Sequence, residues 1–87
     1  MDIFKVTEQN TTNEISDIIE NRFKDGTPLT LLTDGPKQYN TALKAACRAR
    51  QHLVPLGIDL AAETFFQSNE GRYAEREALK LVLTNVP

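Results

Sequence analysis

The chain has 87 residues, 40% of them hydrophobic and 25% charged, with a formal net charge of −2. That length suits one domain of ordinary globular composition, spanning residues 1–87; a domain this small buries roughly 60–65% of the surface its unfolded chain exposes, so its core is thin and a second copy would add to it. No apolar run is long enough for a membrane helix, the opening MDIFKV lacks an apolar signal core, and the single cysteine, Cys47, has no partner within the chain; a cytoplasmic protein that engages no membrane is expected.

Ile3–Thr7 is a short apolar-rich run and predicts a first strand. Thr11, with Glu14 three residues on, has the form of a capping box. The segment from about 12 to 24 that follows sets Ile15, Ile18, Ile19, Arg22 and Phe23 at helical spacing, with Glu14, Asp17 and Glu20 on the other face. Asp25-Gly26 ends this helix, because glycine tolerates the left-handed position past a helix terminus. Leu29–Thr33 predicts a compact second strand, and Asp34-Gly35-Pro36 a turn in which Gly35 supplies a backbone shape that other residues resist. Pro36 suits the first turn of the next helix, 36–53. There Tyr39, Ala42, Leu43, Ala46, Ala49 and Leu53 form the apolar stripe. Cys47 is read as a small buried residue of this helix. After the connector Val54–Gly57, Ile58–Gln67 and Arg76–Thr84 predict two strands, and Ser68–Gly71 is turn chemistry that makes them a hairpin. The order β-α-β-α-β-β points to a two-layer α/β sandwich with a C-terminal hairpin.

Charge is unevenly placed along this order. Residues 1–35 carry three cations (Lys5, Arg22 and Lys24) against seven acids; residues 36–57 carry Lys37, Lys44, Arg48 and Arg50 with no acid; residues 58–87 carry three cations against five acids. The second helix is thus a basic element in an acidic protein. Lys37, Lys44 and Arg48 are separated by seven and four residues, which sets them on one helix face. A row of cations neutralises phosphates and releases counterions without reading sequence. Nothing in the chain marks an enzyme. His52 and Cys47 are five apart on a helix and do not align, no further His or Cys completes a metal site, and no phosphate loop or nucleophile elbow is present. A non-enzymatic protein without cofactor is expected.

From Lys5 to Leu81 the chain resembles the stage V sporulation protein S family. The likeness is densest at Gly35, Asn40, Ala42, Lys44, Ala45, Ala49 and Arg50, then Pro55, Gly57, Asp59 and Leu60, and again at Phe66, Glu75, Arg76, Ala78, Lys80 and Leu81. Lys5, Val6 and Asn13 fit near the start. The family is similar to Alba, the archaeal chromatin and RNA-binding fold, whose members are typically homodimers that hold DNA or RNA through basic residues and the hairpin; the sporulation relatives act as regulators. The resemblance therefore implies an Alba-like fold, a homodimer, and a nucleic-acid-binding set of Lys37, Lys44, Arg48, Arg50, Arg72 and Arg76, with Arg72 and Arg76 near the hairpin tip. Anchoring a strand end or the dimer is the other role open to Arg50. Small side chains permit close approach, so Ala42, Ala45, Ala46 and Ala49 are the expected dimer seam, with Asn40 either meeting its twin across the axis or holding the Asp34–Lys37 turn by hydrogen bonding. The chain departs from the pattern at Gln9, where the family usually has lysine, at Gly35-Pro36-Lys37 in place of Gly-x-Gly, and in an acidic first helix. These departures motivate a second expectation: an Alba-like dimer that has lost nucleic acid and binds a protein partner through that helix.

Overall fold

The computed structural model describes residues 2–67 and 78–87. In chain order it contains β1 (Asp2–Lys5), α1 (Thr12–Lys24), β2 (Leu29–Thr33), α2 (Pro36–Leu53), a single 3-10 turn (Val54–Leu56), β3 (Asp59–Phe66) and β4 (Leu79–Val86). The strands form one mixed sheet in the order β1-β2-β4-β3. β1 runs parallel to β2, while β4 runs antiparallel to both β2 and β3. The expected order of elements is found. The expected turn Ser68–Gly71, together with Tyr73 and the cations Arg72 and Arg76, lies outside the described residues.

α1 is closed at both ends by its own sequence. The Glu14 amide donates to Thr11 Oγ1 at 3.1 Å and the Thr11 amide donates to Glu14 Oε1 at 2.9 Å, the reciprocal pair of a capping box. At the other end Gly26 takes φ 74°. Its amide donates to the Phe23 carbonyl at 3.1 Å and the Thr27 amide to the Arg22 carbonyl at 2.9 Å, which satisfies two of the orphan carbonyls. Ile15, Ile19 and Phe23 are buried beneath this helix.

α2 begins at Pro36, where the missing N–H leaves no bond unmade. Gly35 before it is fully extended (φ −174°, ψ 175°), a conformation open to any residue, so the special backbone shape expected there is absent. The buried face of α2 is Ala42, Ala45, Ala46, Ala49 and Leu53. The real stripe is rotated from the expected one: Ala45 is inside, and Leu43 is 39% exposed. These alanines let α2 lie close against α1, its nearest neighbour in the fold. Beneath them Leu29 and Leu83 are paired across the sheet, as are Leu31 and Leu81, and all four are buried in the common core.

This packing corrects the expected dimer seam. Ala42, Ala45 and Ala49 are fully buried and Ala46 is 4% exposed within the subunit. Their methyl groups already meet the chain's own core and have no surface left for a second copy; Asn40 alone of that set is exposed.

The strand ends also shift. β1 starts at Asp2, and its pairing with β2 is extended by the Val6 amide, which donates to the Leu32 carbonyl at 2.9 Å. β4 starts at Leu79 and runs to Val86 because its register is set on both sides: Thr33 and Phe66 both pair with Leu79, and Asp59 pairs with Val86. Gln67 braces this end, its Nε2 donating to the carbonyls of Thr33 (3.1 Å) and Leu79 (3.0 Å).

Because Ala49 is packed inside the subunit, Ala49→Leu is expected to destabilise the fold by about 1–3 kcal/mol through overpacking. Urea unfolding followed by circular dichroism checks this; an unchanged midpoint would place the residue at a surface instead.

Candidate nucleic-acid interface

The face of α2 opposite its alanines carries Lys37, Lys44 and Arg48. All three side chains are exposed. Among the described residues neither Lys37 nor Lys44 has a carboxylate partner. The Arg48 guanidinium donates to the neutral amide oxygen of Asn13, at the first turn of α1, and so keeps its charge uncancelled. Arginine has five N–H donors in a fixed fork, and the Asn13 contact engages one of them, Nη1. The helix therefore presents three cations along one line, which is the geometry their spacing predicts.

Arg50 is off that line and is engaged elsewhere. Its Nε donates to Asp59 Oδ1 at 2.7 Å and its Nη2 to Asp59 Oδ2 at 3.3 Å, a two-point pairing that ties the end of α2 to the start of β3. Of the two roles open to it, anchoring a strand end is the one the structure displays, and the charge it was expected to give to nucleic acid is cancelled within the subunit. The contact raises the Arg50 pKa. It also holds the Asp59 carboxyl below the ordinary carboxylate value, helped by the amide of Leu60, which donates to Oδ1 at 2.7 Å.

The acidic side chains of α1 are largely turned to local duties. Glu14 closes the capping box. Glu20 accepts from Ser16 Oγ at 3.1 Å and lies 3.0 Å from His52 Nδ1 at the far end of α2. At the edges of the sheet, Arg22 pairs with Asp2 at 2.5 Å and Lys5 with Asp34 at 3.0 Å. Asp17 stays exposed. Among the described residues, no carboxylate on or around α1 pairs with Lys37, Lys44 or Arg48.

Two features were not legible in the sequence. Cys47, expected to be buried, is exposed: it falls one position past Ala46 on the helix, on the outward side, next to Lys44 and Arg48. A cleft of about 470 Å³ opens there, lined by Thr12, Leu43, Lys44, Cys47, Arg48 and Gln51. The second feature is β3. It is an edge strand, and its residues from Ala61 to Phe66 are exposed on both faces. Phe66 is 86% exposed, and Phe65 lies under the Lys80 ammonium at 5.8 Å from the ring centre. No pattern in its residues predicted that both of its faces would be open. Among the described residues no group of His, Cys, Asp and Glu is arranged to hold a metal ion, and no helix is long and apolar enough to cross a membrane.

A mixed four-stranded sheet with two helices, one of them presenting an outward row of cations, defines an α/β protein built around a basic helix face. The family model for Stage V sporulation protein S (SpoVS) matches residues 2–86, and the chain belongs to that family. Membership implies a sporulation-related regulator. No curated protein matches the chain.

The Arg50–Asp59 pair makes a pH prediction whose sign follows from the direction of the shift. The folded pKa of Asp59 lies below its unfolded value of about 4, so the pair's contribution is present above that value and is lost as pH falls through the folded one. The urea midpoint of the wild type should exceed that of Asp59→Asn at pH 6, and the gap should close as pH drops below about 4. A gap independent of pH would remove the ion pair as its cause.

Proposed function

We propose that this protein is a non-enzymatic regulator that binds nucleic acid, DNA or RNA, through the outer face of α2. The observation that carries this reading is the row Lys37, Lys44 and Arg48, exposed and without a carboxylate partner among the described residues. Such a row binds phosphates by releasing counterions, and this is how a chain of net charge −2 can hold a polyanion. Arg72 and Arg76 belong to the same proposal as cations near the expected hairpin tip, Arg76 also as a position that matches the family. The Alba-like fold that the family resemblance implies agrees with it. The competing expectation, a protein partner on an acidic α1, has less support, because Glu14 and Glu20 are tied into capping and into the contact with Ser16 and His52.

The proposal includes a second copy, with its seam on β3 in place of the alanines. An eight-residue edge strand with both faces open and Phe66 exposed is an unprotected pairing template in a lone subunit. A strand edge is complementary to itself about a two-fold axis. Ala61 and Ala62 allow close approach, and the one basic residue that reaches this strand from α2, Arg50, is already neutralised by Asp59. A dimer joined here leaves the outer face of α2 uncovered in each subunit.

Two measurements test the reading. Affinity for a short duplex and a short single strand, titrated against salt, should fall steeply as salt rises. Replacing Lys37, Lys44 and Arg48 with alanine should reduce the logarithmic salt slope by roughly 2–3 per subunit; no binding at low salt, or a slope unchanged by the triple variant, would sink it. For the dimer, light scattering should give twice the chain mass, and Phe66→Asp should return the mass to that of one chain with the circular dichroism spectrum retained. A monomeric wild type would rule the seam out.

A further inference from the structure

The cleft beside Cys47 is more than a stretch of the cationic row. Its volume of about 470 Å³ falls within the ~300–1,000 Å³ of small-molecule pockets. It has two chemically different sides. Lys44 and Arg48 supply two positive charges, and no carboxylate is among its lining residues. Leu43 and the Cys47 thiol supply an apolar wall, while the Thr12 hydroxyl and the Gln51 amide offer hydrogen bonds that both donate and accept. Arg48 is held in place from the α1 side by Asn13. A bare phosphate would use the two cations and leave the rest of the cleft unoccupied. A long apolar ligand would leave the cations unpaired. The occupant that matches all the lining chemistry has an anionic end, an apolar planar body and a hydrogen-bonding edge.

We propose that this cleft binds one nucleotide unit, its phosphate at Lys44 and Arg48 and its base against Leu43 and Cys47 with its edge toward Gln51. The unit comes either free, as a nucleoside monophosphate, or as an unstacked nucleotide within a single strand. A base held in a paired duplex is stacked on both faces and does not reach such a wall without being turned out. In its strand-bound form the inference rests on the proposed polyanion contact, with which it shares Lys44 and Arg48. Lys37 is outside the cleft, two helical turns and roughly 10 Å along the axis from Lys44, so it belongs to the polyanion contact alone and separates the two readings.

Cys47 is the reporter, since it is exposed and lines the cleft. The rate of its alkylation by iodoacetamide, a neutral reagent, is measured by mass spectrometry with adenosine 5′-monophosphate, with inorganic phosphate at matched ionic strength, with a short unstructured oligonucleotide, and with a duplex of the same length. Adenosine monophosphate near twice its dissociation constant should slow alkylation about threefold, and inorganic phosphate should not. Lys44→Ala with Arg48→Ala should abolish the protection, and Lys37→Ala should preserve it while weakening oligonucleotide binding. Protection by the single strand beyond that given by the duplex, without protection by the mononucleotide, supports the strand-bound form. The inference is overturned if the mononucleotide protects no more than phosphate and the single strand no more than the duplex. In that case salt-dependent binding that still requires Lys37 leaves the polyanion reading standing. Protection by adenosine monophosphate in a protein that binds no oligonucleotide would retire the polyanion reading and keep the cleft as a site for the free nucleotide.

Discussion

The close approach of α2 to α1 and the sheet is the constraint on which the rest of the molecule depends. It is made by side chains with almost no bulk: Ala42, Ala45, Ala46 and Ala49 are at or near zero exposure. A helix rotated to bury that stripe has no freedom left in where its other residues point. Lys37, Lys44 and Arg48 are carried outward, Tyr39 and Arg50 are carried toward β3, where they meet Thr64 and Asp59, and His52 is carried toward Glu20 on α1. The functional surface is thus the reverse side of a packing requirement, and anything that turns the helix to relieve the core also turns the cations.

Charge in this protein is decided by neighbours more than by totals. Arg22, Arg50 and Lys5 each have a carboxylate within 3.0 Å. Exposed pairs of this kind add little to stability, with a typical worth of about 0–1 kcal/mol, but they cancel local field. What remains is set by which cations lack such a neighbour, and two of them, Lys37 and Lys44, stand about two turns apart on one helix. Arg48 is the informative intermediate: a neutral amide positions its guanidinium without lowering its charge.

Most of the fold could be read from the sequence because its signals are local. Thr11 with Glu14, Asp25-Gly26 and Pro36 mark helix ends through caps that involve only nearby residues, and the elements they bound appear where expected. The errors have a common physical origin in tertiary rotation. Periodicity shows that α2 has an apolar stripe but does not fix its centre, and a rotation smaller than the roughly 100° between successive residues is enough to bring Ala45 inside and turn Leu43 out. It likewise put Cys47 inside when it is outside, and it offered alanines to a second copy that the subunit's own core already uses. Of the site, the line of three cations was legible because it needs only helical spacing. The engagement of Arg50 by Asp59, the cleft floored by Cys47, and the double exposure of β3 arise from elements meeting in space, and no local pattern encodes them.

The sheet order β1-β2-β4-β3 places the last strand of the sequence in an interior position. β2 must wait for a partner that begins at Leu79, and the row Leu29, Leu31, Leu81 and Leu83 at the middle of the core is assembled from two segments that lie at opposite ends of the region between them. During synthesis α1 and α2 can form from local signals while the sheet that covers their apolar faces is still missing its central member. The nascent chain therefore leaves these apolar faces open until β4 has been made, and pairing between segments so far apart in sequence slows folding. Loss of residues 79–86 would not trim an edge from this protein; it would divide the sheet in two.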